Sequence, residues 1–377
     1  MGLYLRDLSL ILLSAGSSSR FELDVKKQWL RVKHDPLWLF VAKKLEKTGI
    51  FKKIIITSSQ DDIEFMKHYD KFSFIEGGNT RQQSLKNSLK LVDTEYVLVS
   101  DIARACINSS FLNKIISYES DSDCIVPFLP VNDTVVYDGN TIDRDKVKRI
   151  QTPQLSKTSS LIKALQTDQE FTDESSAIVA NGGTREFITG DEDAHKITHI
   201  NDLNKIPCIE APSNDILSGN GFDVHAFDDK GEMYLCGVKI DSDFGFKAHS
   251  DGDVAIHALI DALLGASGMG DIGMMFPDSD DKYKGIDSKE LLAQVVKKVY
   301  NFGYVIVNVD ITIAAQKPRI GQYKQQMRQT ISKILNCDIQ RVNVKATTTE
   351  KLGFVGRAEG VAVMANANLK YFDWKNN

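Results

Sequence analysis

What is missing narrows the chain before any motif is read. No apolar run approaches the roughly 20 residues that a membrane-spanning helix needs. The early run Leu8–Leu13 is short, follows the acidic Asp7, and reads as a buried strand and not as a signal peptide. Positive charge is not in excess either: 46 Lys and Arg face 51 Asp and Glu, for a net charge of −5. That balance argues against a nucleic-acid polymer or a membrane as the main partner, so anions must be met by local clusters of Arg and Lys. Cysteine is scarce. Cys106, Cys124, Cys208, Cys236 and Cys337 are widely spaced, and none forms a Cys-x-x-Cys pair. This rules out a thiolate zinc knuckle and fits reduced thiols in a cytoplasmic protein. Low-complexity tracts and internal repeats are lacking as well.

With 377 residues, 42% hydrophobic and 26% charged, the chain is too long for one ordinary core. Two of its few prolines, Pro207 and Pro212, interrupt the pattern within a polar stretch. The expected junction lies there, giving domains 1–210 and 211–377. From Leu8 to about Ile200, β-rich runs (Leu8–Leu13, 53–57, 72–76, 96–100, 123–127) alternate with amphipathic runs (37–47, 61–68, 81–91). Such alternation predicts an α/β, Rossmann-like domain with a mostly parallel, doubly wound sheet. Ligands on such sheets sit beyond the carboxyl ends of the strands. The second half reads as α+β, a sheet with helices on one side: strands near 221–227, 233–239, 305–315, 341–347 and 360–367, helices near 254–264, 288–302 and 323–335.

In the second half, Asp223-Val-His225 in an extended segment projects both side chains to one face. Ser250 or Asp251 is placed to cap a helix on which Asp253, His257 and Asp261 fall four apart and share a face. Any one of these residues alone would more often be a structural group. Two imidazoles, one carboxylate and an open fourth position together are what a catalytic Zn2+ site requires.

In the first half the strand ends carry the candidate chemistry. Ser14-Ala15-Gly16-Ser17-Ser18-Ser19-Arg20 follows the first strand, then Lys26-Lys27-Gln28. Small residues let backbone N–H groups approach phosphates, and Arg20 and Lys27 can neutralise them. Later come Gly77-Gly78-Asn79-Thr80-Arg81-Gln82-Gln83-Ser84, Asp101-Ile102-Ala103-Arg104, Asp143-Arg144, Thr152-Pro153-Gln154, Thr172-Asp173-Glu174 and His195-Lys196. In this order they resemble the 2-C-methyl-D-erythritol 4-phosphate cytidylyltransferases over residues 8 to 200. The resemblance implies that Arg20 and Lys27 stabilise charge on the CTP phosphates, and that Arg144 and Lys196 hold the phosphate of methylerythritol phosphate. It implies further that Ala15, Gly16, Ser84 and Arg104 surround CTP, that Asp101 holds Mg2+ (or Mn2+), and that Thr172 touches the sugar phosphate. The chain departs from the family pattern at Ser18 (a glycine there), Phe21, Lys26, Asn79 and Ala105. Every charged group with an implied catalytic role is kept.

Three further segments of the second half end strands or helices: Gly270-Asp271-Ile272-Gly273 with Asp278, Ala315-Gln316-Lys317-Pro318-Arg319-Ile320, and Thr347-Thr348-Thr349-Glu350 with Phe354. With the Asp-x-His and Ala248-His249-Ser250-Asp251-Gly252-Asp253 motifs, they look like 2-C-methyl-D-erythritol 2,4-cyclodiphosphate synthase over about 218 to 370. This implies Zn2+ on Asp223, His225 and His257, with His249 and Thr348 at the reacting phosphates and Ser250 assisting. Asp271, Gly273 and Asp278 would bind the erythritol part, while Ala315, Lys317 and Ile320 would line a cytosine pocket. Thr347 and Glu350 would meet the nucleotide phosphates, Glu350 through a second divalent ion. Phe354 and Arg357 would flank that region, Arg357 toward the centre of the family's trimer.

The expectation is therefore a bifunctional enzyme of the methylerythritol phosphate isoprenoid route, acting on CTP and methylerythritol phosphate and on a CDP-methylerythritol phosphate. The alternatives are an active cyclase with a non-catalytic first domain, or a sugar-phosphate nucleotidyltransferase fused to a zinc hydrolase. The two steps are not consecutive, and no kinase-type loop for the step between them is present. Trimeric second domains and dimeric first domains would combine into a homo-oligomer, a hexamer or larger cage.

Overall fold

The structure, a computed structural model, describes residues 7–16, 18, 21, 23–229, 231–247, 251–277, 279–283 and 285–376. It divides into two compact units: the first takes the chain up to Pro212 together with 373–376, the second takes Ser213–Phe372. The first break thus falls two residues beyond the expected one. The expectation that 211–377 forms one domain is corrected at its far end, because Trp374 is 7% exposed and its indole N–H donates to the Arg31 carbonyl at 2.7 Å, inside the first unit. Among the described residues no helix is long and apolar enough to cross a membrane.

The first unit is built on eight strands: β1 (Leu8–Leu13), β2 (Lys53–Ser58), β3 (Ser73–Glu76), β4 (Tyr96–Asp101), β5 (Cys124–Pro130), β6 (Lys148–Ile150), β7 (Gln154–Lys157) and β8 (Arg185–Thr189). Their order is β6-β5-β7-β4-β1-β2-β3, with β8 pairing β5. Strands β4, β1, β2 and β3 are mutually parallel, while β7 runs antiparallel between β4 and β5. All residues of β1 are buried, as a strand covered on both faces requires. Helices α1 (Leu37–Glu46), α2 (Gln60–Met66), α3 (Arg81–Leu89), α4 (Ser109–Ile116), α5 (Thr158–Ala164) and α6 (Glu174–Ala180) supply the cover. Several begin on a side-chain cap: Ser59 for α2, Thr80 for α3, Asn108 for α4 and Asp173 for α6. One core joins Ile11, Leu13, Ile55, Val97 and Val99 of the sheet to Leu85 and Leu89 of α3 and Leu161 of α5. The sheet is mixed and wider than the sequence indicated, because β6 and β8 are short and half-exposed and carry little periodicity. A hairpin, Val135–Tyr137 with Asn140–Ile142, turns at Asp138 and Gly139, both at positive φ.

The expectation that every cysteine is a reduced thiol is also corrected. Cys106 and Cys208 form a disulfide with their Cα atoms 5.6 Å apart. They lie 102 residues apart in sequence, and folding, not spacing, brings the loop after β4 against the segment leaving the unit.

Among the described residues the main sheet of the second unit has five strands: β9 (Leu217–Asp228), β10 (Gly245–Phe246), β11 (Tyr304–Ala314), β12 (Val342–Thr347) and β13 (Gly360–Tyr371), ordered β10-β9-β13-β11-β12. Helices α7 (Val254–Ser267), α8 (Ile272–Met275), α9 (Ser288–Asn301), α10 (Lys324–Leu335) and the short α11 (Gly353–Gly356) accompany it. Along β9 one face carries Gly219, Gly221, Asp223 and His225, and the other carries Asn220, Phe222 and Val224. The glycines decide how α7 packs. A Cβ on Gly221 would lie 1.8 Å from the Ala258 carbonyl oxygen, and one on Gly219 would lie 2.2 Å from that of Ala262. Helix backbone therefore rests directly on strand backbone, and that approach carries His257 to the Asp-x-His pair. The expected strand 233–239 is instead a hairpin, Met233–Leu235 with Val238–Ile240, because Cys236 and Gly237 both take positive φ.

Candidate functional site

In the first unit, the loops after β1 and β4 and the start of α3 enclose a cleft of about 540 Å³. It is lined by Ala15, Gly16, Lys27, Ser84, Asp101 and Lys196 of the predicted set. Ser18 stands at φ 57°, where glycine would be unstrained, but its hydroxyl accepts the Lys27 N–H at 3.2 Å. The Lys26-Lys27 turn is fixed from behind by the buried Asp62. Its carboxylate accepts from Lys26 Nζ at 2.9 Å, Gln28 Nε2 at 3.0 Å and Trp29 Nε1 at 2.9 Å. Residues on both sides of Lys27 are thereby pinned.

Asp101 is the electrostatic centre of the cleft. Lys196 Nζ lies 2.9 Å from Oδ2 and Arg81 Nε lies 3.5 Å from Oδ1. Burial works against its ionisation, but Arg81 and Lys196 outweigh burial and hold its pKa down to about 2. Arg81 also pairs with the fully buried Glu174 at 2.6 Å. Burial pushes the Glu174 carboxyl up, and Arg81 opposes it. The sequence names Arg81 and Glu174 inside motifs without giving them a role, and it passes over Asp62 entirely. Each sits at a helix start that a capping pattern marks, which was the available signal.

Other predicted residues are not brought to this cleft. Arg104 is 8% exposed and donates from Nε to Thr152 Oγ1 at 2.7 Å and from Nη1 to the Ala194 carbonyl at 2.5 Å. It braces the wall and does not line it. Arg144 is exposed next to the 135–142 hairpin and donates to the Asn132 carbonyl. Thr172 is exposed in the loop before α6. Arg20 lies outside the described residues. A second cavity, of about 530 Å³, is lined by Lys86, Leu89, Ile162 and Leu165 and holds none of the predicted groups.

In the second unit, one atom each from Asp223, His225 and His257 lie within 4.8 Å of one another. Asp223 Oδ2 is 3.3 Å from His225 Nε2 and 3.3 Å from His257 Nδ1. The far nitrogens are engaged elsewhere: His225 Nδ1 with the Gly252 carbonyl at 2.9 Å, and His257 Nε2 with Ser288 Oγ at 3.0 Å. Burial pushes the His225 imidazole below its ordinary pKa against the pull of Asp223, which favours the neutral ring that metals bind. Asp253 does not share the metal face. It is wholly buried as the cap of α7 and accepts N–H bonds from Cys236, Gly237 and Ile256, so burial, offset by those amides, raises its pKa to about 6. Asp261 accepts the Ile272 N–H at 2.8 Å. The cap proposed for Ser250 or Asp251 thus belongs to Asp253, because that carboxylate reaches the Ile256 N–H.

Sheet register places the remaining segments. Asp223 pairs with Val363, Val363 with Ile313, and Ile313 with Ala346, so Asp223 and the end of β12 are level across the sheet. Three strand spacings of about 4.8 Å separate them, on the order of 14 Å. Thr347, Thr348 and Glu350 are exposed there, with Thr348 Oγ1 donating to Glu350 Oε1 at 2.9 Å. Ala315 N–H donates to the Thr347 carbonyl at 3.0 Å, which seats the buried Ala315 and Ile320 beside that loop; Lys317 is exposed. Asp271 caps α8 by accepting the Met274 N–H, with Gly273 exposed in the same turn. Arg357 is paired at 2.8 Å with Glu359, and Phe354 is 40% exposed. His249, Ser250 and Asp278 lie outside the described residues.

Residues 8–209 match the family model of 2-C-methyl-D-erythritol 4-phosphate cytidylyltransferase, and residues 216–370 match that of the YgbB family. The chain is 72% identical over 374 residues to the bifunctional enzyme IspD/IspF of Sulfurimonas denitrificans, covering 99% of this chain and 97% of the relative. It is 56% identical to that of Aliarcobacter butzleri, covering 98% and 99%. The solved structure of bifunctional IspDF from Campylobacter jejuni superposes with a TM-score of 0.90 at 50% identity, over 98% of this chain and 99% of that one. A cytidylyltransferase domain and a metal-dependent cyclodiphosphate synthase domain, carried in this order over nearly the whole length of such relatives, mean that the chain belongs to the bifunctional IspD/IspF enzymes of the methylerythritol phosphate isoprenoid route.

Proposed function

We propose that both sites are catalytically competent and that each works by positioning phosphates and neutralising their charge. In the first, a phosphate oxygen of methylerythritol phosphate attacks the α-phosphorus of CTP and pyrophosphate leaves. Lys27, with Arg20, stabilises the charge that builds on the CTP phosphates, and Lys196 holds the incoming phosphate. Ala15, Gly16 and Ser84 contribute the close backbone approach and a hydroxyl. Asp101 is assigned the Mg2+ or Mn2+ that travels with the nucleotide.

In the second, the 2-phosphate of CDP-methylerythritol 2-phosphate attacks the β-phosphorus and CMP leaves. The donor set of the cluster fits Zn2+: bonds of about 2.0 Å at tetrahedral angles give ligand–ligand edges of about 3.3 Å. That is the separation of Asp223 Oδ2 from both histidine nitrogens, and it is the observation that carries this half of the reading. Zn2+ supplies Lewis acidity and a template there. His249, Ser250 and Thr348 are assigned to the reacting phosphates, Asp271, Gly273 and Asp278 to the erythritol hydroxyls, and Ala315, Lys317 and Ile320 to the cytosine. Thr347 and Glu350 are assigned to the nucleotide phosphates, Glu350 through a second divalent ion, with Phe354 and Arg357 flanking them.

A homo-oligomer completes the reading. Phe222, Val224 and Met364 are 61%, 43% and 54% exposed on the sheet face turned away from α7, an apolar patch suited to a second copy. The 135–142 hairpin exposes Val136 and Tyr137, and a second copy is the natural way for its neighbour Arg144 to reach a phosphate. Trimers of the second unit and dimers of the first give a hexamer or larger assembly in the cytoplasm. The deciding assay supplies CTP, Mg2+ and methylerythritol phosphate and measures pyrophosphate, then supplies the diphosphate substrate and measures CMP. Failure to release pyrophosphate overturns the first assignment. Release of inorganic phosphate in place of CMP overturns the second.

A further inference from the structure

The metal cluster is backed by a hydrogen-bond chain that none of the family motifs above assigns. Ser288, the first residue of α9 and wholly buried, links His257 to Asp251. Its Oγ is 3.0 Å from His257 Nε2 and 2.5 Å from Asp251 Oδ1. The Ser288 backbone N–H donates to Asp251 Oδ2 at 3.2 Å, and the Asp253 N–H donates to Asp251 Oδ1 at 3.3 Å. Proton counting settles the direction of the chain. A carboxylate only accepts, so the single hydroxyl proton of Ser288 goes to Asp251, and Oγ is left to accept from the imidazole. In the neutral ring that a metal binds, His257 then carries its proton on Nε2 and its lone pair on Nδ1, the atom that faces Asp223.

The same logic sets the other histidine in the opposite tautomer. The Gly252 carbonyl accepts from His225 Nδ1, leaving the lone pair on Nε2, again the atom facing Asp223. The three-residue turn Asp251–Gly252–Asp253 thus orients both rings. Asp251 acts through Ser288, Gly252 through its carbonyl, and Asp253 by capping the helix that carries His257. We propose that Ser288 and Asp251 are positioning residues of the metal centre, holding His257 in the tautomer and rotamer that present Nδ1 to the ion. This rests on reading Asp223, His225 and His257 as the metal site.

The test uses full-length protein stripped of metal with a chelator and titrated with Zn2+ against a competing chelator dye. Outer-shell partners of metal-bound histidines are worth about 10–100-fold in affinity. Ser288→Ala is expected to weaken Zn2+ binding by that factor. Asp251→Asn, which leaves the Ser288 hydroxyl in place, is expected to weaken it by less, up to about tenfold. With Co2+ in place of Zn2+, the visible absorption band of the wild type should shift and weaken in Ser288→Ala, a change that looser packing elsewhere would not produce. Circular dichroism and the thermal unfolding transition of the second unit, which holds both residues, report that each variant is folded. If wild type binds Zn2+ and both variants bind it equally tightly with the same Co2+ spectrum, the positioning role is overturned. If wild type itself takes up no Zn2+, the metal reading falls, and this inference falls with it.

Discussion

The two sites handle buried charge in opposite ways. In the first unit, opposite charges meet directly: Asp101 with Lys196 and Arg81, and Arg81 with Glu174. In the second, the buried Asp253 meets no cationic side chain in its capping network; three backbone N–H groups bind it, and two imidazoles converge on Asp223. The first arrangement suits a site where several phosphates come and go, because the cations are already gathered and Asp101 balances them in the meantime. The second suits a bound cation, since one carboxylate and two imidazoles converge on a single point.

Removing a member from each side breaks this contrast most sharply. His257→Ala should abolish metal retention and lower CMP release by about 1000-fold or more, as loss of a catalytic metal does. CTP-dependent pyrophosphate release should stay within about twofold, because the two sites belong to separate compact units. Metal analysis and the two assays check this, and equal loss in both would show that the sites are coupled. Lys196→Ala should do the converse, lowering pyrophosphate release by about 100–1000-fold, the range for losing one preorganised charge-stabilising group. CMP release and metal content should not change.

Smaller effects sharpen the comparison. Gly221→Ala places a methyl where helix backbone already lies, and it should cost about 1–3 kcal/mol or more in the stability of the second unit. Calorimetry and a matching fall in zinc affinity would check it. The smallest effects are in pH dependence, and they have opposite signs. Asp101 is held at about 2, below its ordinary 3.8, so its contribution to stability is complete above about pH 4 and drains away as pH falls toward 2. Asp253 is raised to about 6, so folding favours its protonated form. Its contribution is complete below about pH 4 and is lost as pH rises through 6. Asp101→Asn should flatten the acid limb of the unfolding profile, and Asp253→Asn should flatten the limb between pH 4 and 6. The same limb responding to both substitutions would contradict this account of the two carboxylates.

Much of the fold was legible where periodicity was strong. β1 matches its expected span, and α3, α7 and α9 begin where apolar spacing and a capping residue coincide. Short strands such as β6 and β8 were not legible, since three to five half-exposed residues leave no pattern to read. The hairpin at Cys236 escaped because nothing in the apolar run around it marks a reversal. At the sites, six motif residues line one cleft and Asp223, His225 and His257 lie together, but side-chain directions were not legible: Arg104 donates to Thr152. Asp251 looked like a helix cap and Asp253 like a metal-side acid, yet Asp251 serves a serine and Asp253 the helix end. Ser288 could not be found at all, because no local spacing links it to a histidine 31 positions earlier.

Trp374 gives the chain an unusual order of completion. Since residues 373–376 pack with the first unit, the second unit is in effect inserted into the first, and the amino-terminal domain is discontinuous in sequence. At ribosomal speeds of about 5–20 residues per second, the indole emerges some tens of seconds after the Arg31 carbonyl it covers, which lies 343 residues earlier. An amino-terminal fragment ended at the junction would be left with a bare seat where that ring belongs, so the two activities cannot be separated cleanly by one cut.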